Sequence, residues 1–305
     1  ISTGERFHFS LTCLGDEATI SETSAVEQML SAMQNGEIRL GAQKSNGFGH
    51  VSLSVKKRVF DLQEEKDREA WLKDREEGAP IELPELKGGN EVTFTLTGHA
   101  DSVLVKGAAA EQTDDGSFVR NLQEAGRPVI PGSSIKGVIR ARASMIAKWK
   151  GLPDSTVDDI FGRESGEEDN GIAGRFQFED CRMSSDKTRK ISRIRINRFT
   201  GGVIRQGLFR EEPVCSKVSL RITAPTDCPV GCGLLVYALR DLGLNLINLG
   251  SGDAIGRGRI STDSIRIEMP DGETASITFD EDRNCTVKDP SGLIAAWLRE
   301  LEVRG

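Results

Sequence analysis

Residues 239–260 read LRDLGLNLINLGSGDAIGRGRI, and residues 30–51 read LSAMQNGEIRLGAQKSNGFGHV. At a constant offset of 209, Leu40-Gly41 falls on Leu249-Gly250, Gly47 on Gly256, Gly49 on Gly258 and Val51 on Ile260. Each stretch passes from a helix-like apolar segment through a glycine loop into a strand-like run, VSLSV at 51–55 and IRI at 265–267. A helix, loop and strand that recur at one offset predict duplicated domains. Glycine suits such a loop where the backbone takes positive φ or packs against another backbone or a phosphate.

The flanking sequence extends both copies. Residues 6–13 (RFHFSLTC) alternate like a strand, 25–33 have helical spacing and 51–59 are strand-like. Residues 63–85 are charged, hold Pro80 and Pro84 and lead into Lys87-Gly88-Gly89-Asn90. That is linker composition, with a short helix around 68–76. A new strand at 91–98 opens a second unit, followed by a loop of little periodicity at 106–121. Ser133 or Ser134 caps a helix running from about 135 to 149. Its apolar residues Ile135, Val138, Ile139, Met145, Ile146 and Trp149 fall mainly on one stripe, with Lys136, Arg140 and Arg142 off it. Residues 175–180 and 217–223 read as further strands, and 233–243 as a helix.

The second unit therefore holds both strand-helix-strand halves, whereas the first holds only the closing half. The expected fold class is α+β, ferredoxin-like (RRM-like). A partial copy occupies 1–62, a charged linker 63–90 and a complete copy 91–305. A lone half exposes sheet edge and core, so something must cover it.

Composition excludes several classes. With 37% hydrophobic and 29% charged residues, the chain is neither disordered nor membrane-embedded. No apolar run approaches the roughly 18 residues of a membrane span. The opening ISTGERFHFSLTCLG reads as a strand, not a leader. Cys13, Cys181, Cys215, Cys228, Cys232 and Cys285 form no disulfide framework, as expected of reduced thiols in a cytoplasm. The net charge of −7 argues weakly against nucleic acid, but its distribution is uneven. Residues 125–151 hold Arg127, Lys136, Arg140, Arg142, Lys148 and Lys150 without one acid. Residues 187–210 hold Lys187, Arg189, Lys190, Arg193, Arg195, Arg198, Arg205 and Arg210, again without one. Such segregation suggests a polyanion groove; the plainer alternative is a pair of solvated faces.

Four ordered blocks carry a family resemblance. PGSSIKGVIR at 131–140 resembles the "PGSSLKG.hR" signature of the RAMP superfamily of CRISPR-associated proteins. Ile160-Phe161-Gly162 with GRFQFED at 174–180 resembles its next block. INRFTGG at 196–202, then Gly207-Leu208-Phe209 and Glu212, resembles "hDR.TG.a…LF..E", with Asn197 in place of the usual Asp. Both glycine loops resemble the ending "lGg..s.GyGrv", with Phe48 in the aromatic place in the first and Arg257 in the second. The likeness is to the backbone subunits of type III effectors, in a tandem (fused) form.

That resemblance implies a function. The chain would bind guide (CRISPR) RNA, position complementary target RNA and contact other effector subunits, without a membrane. Segment 184–213 would be a protruding β-hairpin thumb that wedges into the duplex, Arg198 among its cations and Ile191, Ile194, Ile196 and Phe199 as apolar matter. RNA-binding positions would be Ser133, Ser134, Lys136 and Arg140 at a helix start, and Lys44, Ser45, Gly252, Arg257 and Arg259 in the glycine loops. Cleaving members carry one aspartate between the first strand and the PGSS block, here Asp114 or Asp115. It would act toward a 2′-OH or hold a divalent metal ion, magnesium by expectation, making the chain a metal-dependent endoribonuclease. The alternatives are a non-catalytic scaffold, or Asp114-Asp115-Gly116 as a simple turn.

Other chemistries lack their residues. GSGDAIGRG does not match G-x-G-x-x-G and no strand-loop-helix context follows it, and there is no Walker A order or HExxH. His8, His50 and His99 read as isolated, and Cys228 and Cys232 lack further ligands at zinc spacing.

Overall fold

A computed structural model of the chain describes residues 5–13, 15, 20–41, 49–73, 78–85, 90–107, 111–113, 116–124, 126–165, 170–184 and 187–303. They form two compact units, one within 1–41 and 49–89, the other within 90–305.

In the first unit, α1 (Ile20–Gln34) lengthens the expected helix at both ends. Strand β1 (Lys56–Lys57) and, after α2 (Glu65–Leu72), β2 (Ala79–Pro80) pair antiparallel. The stretch read as a linker thus contributes a helix and a strand. Lys57 pairs with Glu27 at 2.7 Å, tying strand to helix. Two expected strands are corrected. Residues 6–13 form no strand and leave Phe7, Phe9 and Leu11 exposed. Residues 51–59 are strand only at Lys56–Lys57. A strand persists by hydrogen bonding to a neighbour, and among the described residues of this unit only β2 supplies one.

The second unit opens with β3 (Glu91–Val103), whose residues alternate between buried and part-exposed. Next come β4 (Glu111–Thr113), β5 (Gly116–Arg120), β6 (Gln123–Glu124) and β7 (Arg127–Ile130). Helices α3 (Gly132–Trp149) and α4 (Asp154–Phe161) precede the short strands β8 (Gly162–Arg163) and β9 (Ile172–Ala173). Then follow β10 (Gln177–Phe178), β11 (Cys181–Arg182) and β12 (Lys187–Thr188). Strands β13 (Ile191–Ile196), β14 (Val203–Glu212) and β15 (Val214–Pro225) lead to α5 (Pro229–Gly243). Strands β16 (Ile260–Glu268), β17 (Thr274–Phe279) and β18 (Cys285–Lys288) and helix α6 (Leu293–Val303) complete the unit.

The architecture is mixed α+β. Its main sheet runs β10-β15-β3-β16-β17-β18, all antiparallel, with β12 also on β15. One face carries Val92, Phe94 and Leu96, which join Ile135 and Ile139 of α3, Leu235 and Leu239 of α5 and Trp297 of α6 in a single core. Alternation puts Thr93, Thr95, Thr97 and His99 on the other face. Phe161 packs against Phe176 and Phe178, with ring centroids 6.2 and 5.9 Å apart, anchoring α4 to the sheet edge. The strand expected over 175–180 shrinks to Gln177–Phe178.

The α3 stripe is also corrected. Ala143 and Ala147 complete the buried face, while Met145 and Trp149 are exposed, Trp149 by 81%. The small side chains lie in the core, and the long ones lie at the surface.

The two glycine loops share a backbone at their described ends. After α1, Gly36 N–H donates to Met33 O (3.2 Å) and Glu37 N–H to Ala32 O (2.9 Å). At the same offset of 209, Asn245 N–H donates to Leu242 O (3.0 Å) and Leu246 N–H to Asp241 O (2.9 Å). This is the Schellman ending, with Gly36 (φ 83°) and Asn245 (φ 56°) in the left-handed position. Leu40 N–H then donates to Gly49 O (3.0 Å), and Leu249 N–H to Gly258 O (2.9 Å). A Cβ on Gly49 would lie 2.1 Å from Leu40 O, and one on Gly258 2.0 Å from Leu249 O. Only glycine fits either place.

Candidate nucleic-acid interface

The segment between β12 and β15 is an antiparallel hairpin. Ile191 faces Glu211, Arg193 faces Phe209 and Ile194 faces Leu208, with an irregularity before Ile196 pairs Val203. Its end is organised by Asn197, whose Oδ1 accepts from Phe199 N–H (2.8 Å) and Thr200 N–H (3.3 Å). An asparagine oxygen serves this turn as an aspartate would. Phe199 is fully exposed, and Ile194, Ile196, Val203 and Leu208 are each more than half exposed. Arg195, Arg198 and Arg205 are exposed among them, and among the described residues none forms an ion pair. Apolar side chains interleaved with free guanidinium groups suit a surface that meets bases and phosphates together.

The hairpin is rooted in a buried carboxylate. Glu211 accepts from Arg193 Nη2 (2.5 Å) and Nε (3.0 Å) and from Arg257 Nη1 (2.7 Å), with Lys106 Nζ 3.5 Å away. Burial alone would raise its carboxyl, but the two guanidinium partners outweigh it and hold it below the ordinary 4.5. The Arg257 side chain is 6% exposed and spent on Glu211. Gly252, at φ 95°, accepts from Arg257 N–H and shapes the same loop, while Arg259 remains exposed.

The helix start is partly occupied. Pro131, not Ser133 or Ser134, holds the cap position. Gly132 N–H donates to Asp180 Oδ1 (2.7 Å), and the N–H groups of Ser134 and Ile135 fold back on Pro131 O. Ser133 is exposed and its N–H has no partner among the described residues. Lys136 is half-buried; burial first, and Arg140's like charge second, push its ammonium below the ordinary value. A neighbouring anion would relieve that repulsion. Arg140 is spent on structure, donating to Gly162 O (2.8 Å) and Asp158 Oδ1 (2.9 Å). Arg142 pairs with buried Asp241 (2.7 Å), and Lys150 lies 4.0 Å from Glu302. Arg140, Arg142 and Lys150 of the acid-free run thus find acids elsewhere in the chain.

The expected catalytic loop is more ordered than its sequence suggests. β4 pairs with β5, and β5 runs parallel to β14 with Val119 facing Glu211. This puts the segment in one sheet with the hairpin, in the order β13-β14-β5-β4. Asp114, Asp115, Lys44 and Ser45 lie outside the described residues.

Sequence reasoning missed one cluster. His99, read as isolated, lies beside Asp101 and Cys215. The Cys228 and Cys232 thiols are pushed up by burial and lie apart from that cluster. No helix of the described residues is long and apolar enough to cross a membrane.

The model of the RAMP superfamily matches residues 112–261. Over that span the chain belongs to the RAMP superfamily. The match takes in α3, the exposed hairpin, α5 and the second glycine loop. RAMP membership points to a CRISPR-associated, RNA-binding subunit. Comparison with curated proteins finds no match.

Proposed function

We propose that this RAMP protein is a guide-RNA-binding backbone subunit of a type III CRISPR effector, and that it positions and cleaves complementary target RNA. The observation that carries the reading is the β13–β14 hairpin, apolar and arginine-rich at its end yet rooted by Glu211 in a buried ion network. Such a rib can enter a duplex without losing its register on the protein. Guide RNA would be held through its backbone by Ser133, Lys136 and Arg259, since the open sheet face bears threonines where a base-stacking surface would need aromatic rings. The order β10-β15-β3-β16, with α3 and α5 as crossovers, supports a ferredoxin-like reading of the second unit. The shared geometry at the two loop ends supports a tandem one.

Cleavage would fall to Asp114 or Asp115, assisted by a divalent ion such as magnesium and by target geometry that aligns the 2′-OH with the scissile phosphate. The experiment compares Asp114→Asn, Asp115→Asn and a hairpin shortened between residues 194 and 208. One aspartate variant should lose target cleavage while guide affinity stays within about twofold, or roughly 0.4 kcal/mol. The shortened hairpin should fold, bind guide modestly less well and cut at irregular intervals. Undiminished cleavage in both aspartate variants would make the chain a scaffold.

A further inference from the structure

We propose that Cys215 and His99, with Asp101 behind the imidazole, bind a thiophilic divalent cation of the zinc type, a site independent of the RNA reading above. The local backbone aims the sulfur. Where β15 pairs with β3, the register slips between Val214, which faces Val103, and Ser216, which faces Ala100. Such a bulge turns a side chain that regular pairing would direct elsewhere. Cys215 Sγ lies 3.7 Å from His99 Nε2, and His99 Nδ1 lies 3.1 Å from Asp101 Oδ1. The cysteine is a free thiol.

These distances fit one arrangement. Zinc bonds of about 2.0 Å to nitrogen and about 2.3 Å to sulfur give a tetrahedral nitrogen–sulfur edge of roughly 3.6 Å. A carboxylate accepting the Nδ1 proton fixes the tautomer that turns the Nε2 lone pair toward the sulfur. Asp101 sits where that carboxylate is needed, and its own oxygen falls within the same 4.8 Å cluster. His99 and Asp101 are open to solvent, which gives the ion a path in and water for its remaining positions. A thiolate–imidazole pair selects zinc-like ions over magnesium or calcium, which take oxygen ligands. This site is thus distinct in chemistry from any ion held by Asp114.

The test titrates the full chain with Co2+ and follows the near-ultraviolet thiolate-to-cobalt charge-transfer band. The band should appear in the wild type and persist in Cys13→Ser/Cys285→Ser, which removes the two exposed thiols. It should vanish in Cys215→Ser and in His99→Ala, two variants that make the result independent of how either one folds. Asp101→Asn should weaken cobalt binding about tenfold. Absence of the band in the wild type, or its survival in Cys215→Ser, would overturn the proposal.

Discussion

The described ends of the two glycine loops have the same backbone and different surroundings. Both end a helix in a Schellman turn and close with a leucine N–H bonded to a glycine carbonyl. The second delivers its chain into β16, eight of whose nine residues pair with β3. The first delivers its chain into 51–55, which forms no strand and, among the described residues, is tied only at Val55, whose O accepts from Ile81 N–H (3.1 Å). The loop is therefore a local product of helix ending and glycine placement, whereas the strand after it depends on a partner. A second difference lies at one offset-matched position. Arg257 locks the second loop to Glu211, while the first carries Phe48 there, outside the described residues.

The largest effect should come from removing that lock. Glu211→Ala strands buried Arg257 and should cost about 3–5 kcal/mol, read as a lower urea midpoint. Because Glu211's carboxyl is held below its ordinary 4.5, its contribution is complete above that value and fades as pH falls through the lowered one. Wild type should therefore lose stability below about pH 4.5 more steeply than Glu211→Gln, as an acid titration of the urea midpoint would show. Next in size, Gly258→Ala should cost about 3 kcal/mol, through strained φ and the clash with Leu249 O. Gly49→Ala meets the same clash. With only the two-residue β1 beyond its loop, it should leave the unfolding transition of the second unit in place. Equal effects from the two glycines would erase the distinction between them.

A smaller step separates the two turn residues. Asn245→Ala should cost about 2 kcal/mol, from left-handed strain and from the lost bond between Asn245 Oδ1 and Ile260 N–H (3.0 Å). Asn245→Gly, which copies Gly36, should cost about half as much, because only the bond is lost. Smallest of all, Phe199→Ala should change stability by less than about 0.5 kcal/mol, since the ring touches solvent alone.

What was legible in the sequence follows from range. The offset of 209 marked both turns, because helix endings and positive-φ glycines are written within a few residues. The apolar alternation of β3 and the α3 signature placed the second unit's main elements. Residues 6–13 and 51–59 misled because alternation gives a strand its faces but not its partner. Arg140, Arg142 and Arg257 misled in the opposite sense. Their acids, Asp158, Asp241 and Glu211, are remote or belong to another element, so a locally unpaired cation was paired in space. His99 and Cys215 are 116 residues apart, and only strand pairing and a bulge bring them together.

The RNA reading rests on the β13–β14 hairpin and its free arginines. Its most direct test is a gel shift of the full chain on a repeat-derived RNA across a salt series, beside an Arg195→Ala/Arg198→Ala/Arg205→Ala variant. Binding should weaken as salt rises, and the variant should flatten the log–log slope by about 2, from about 0.7 per lost phosphate contact. A salt-independent shift, no shift at all, or an unchanged slope in the folded triple variant would contradict it.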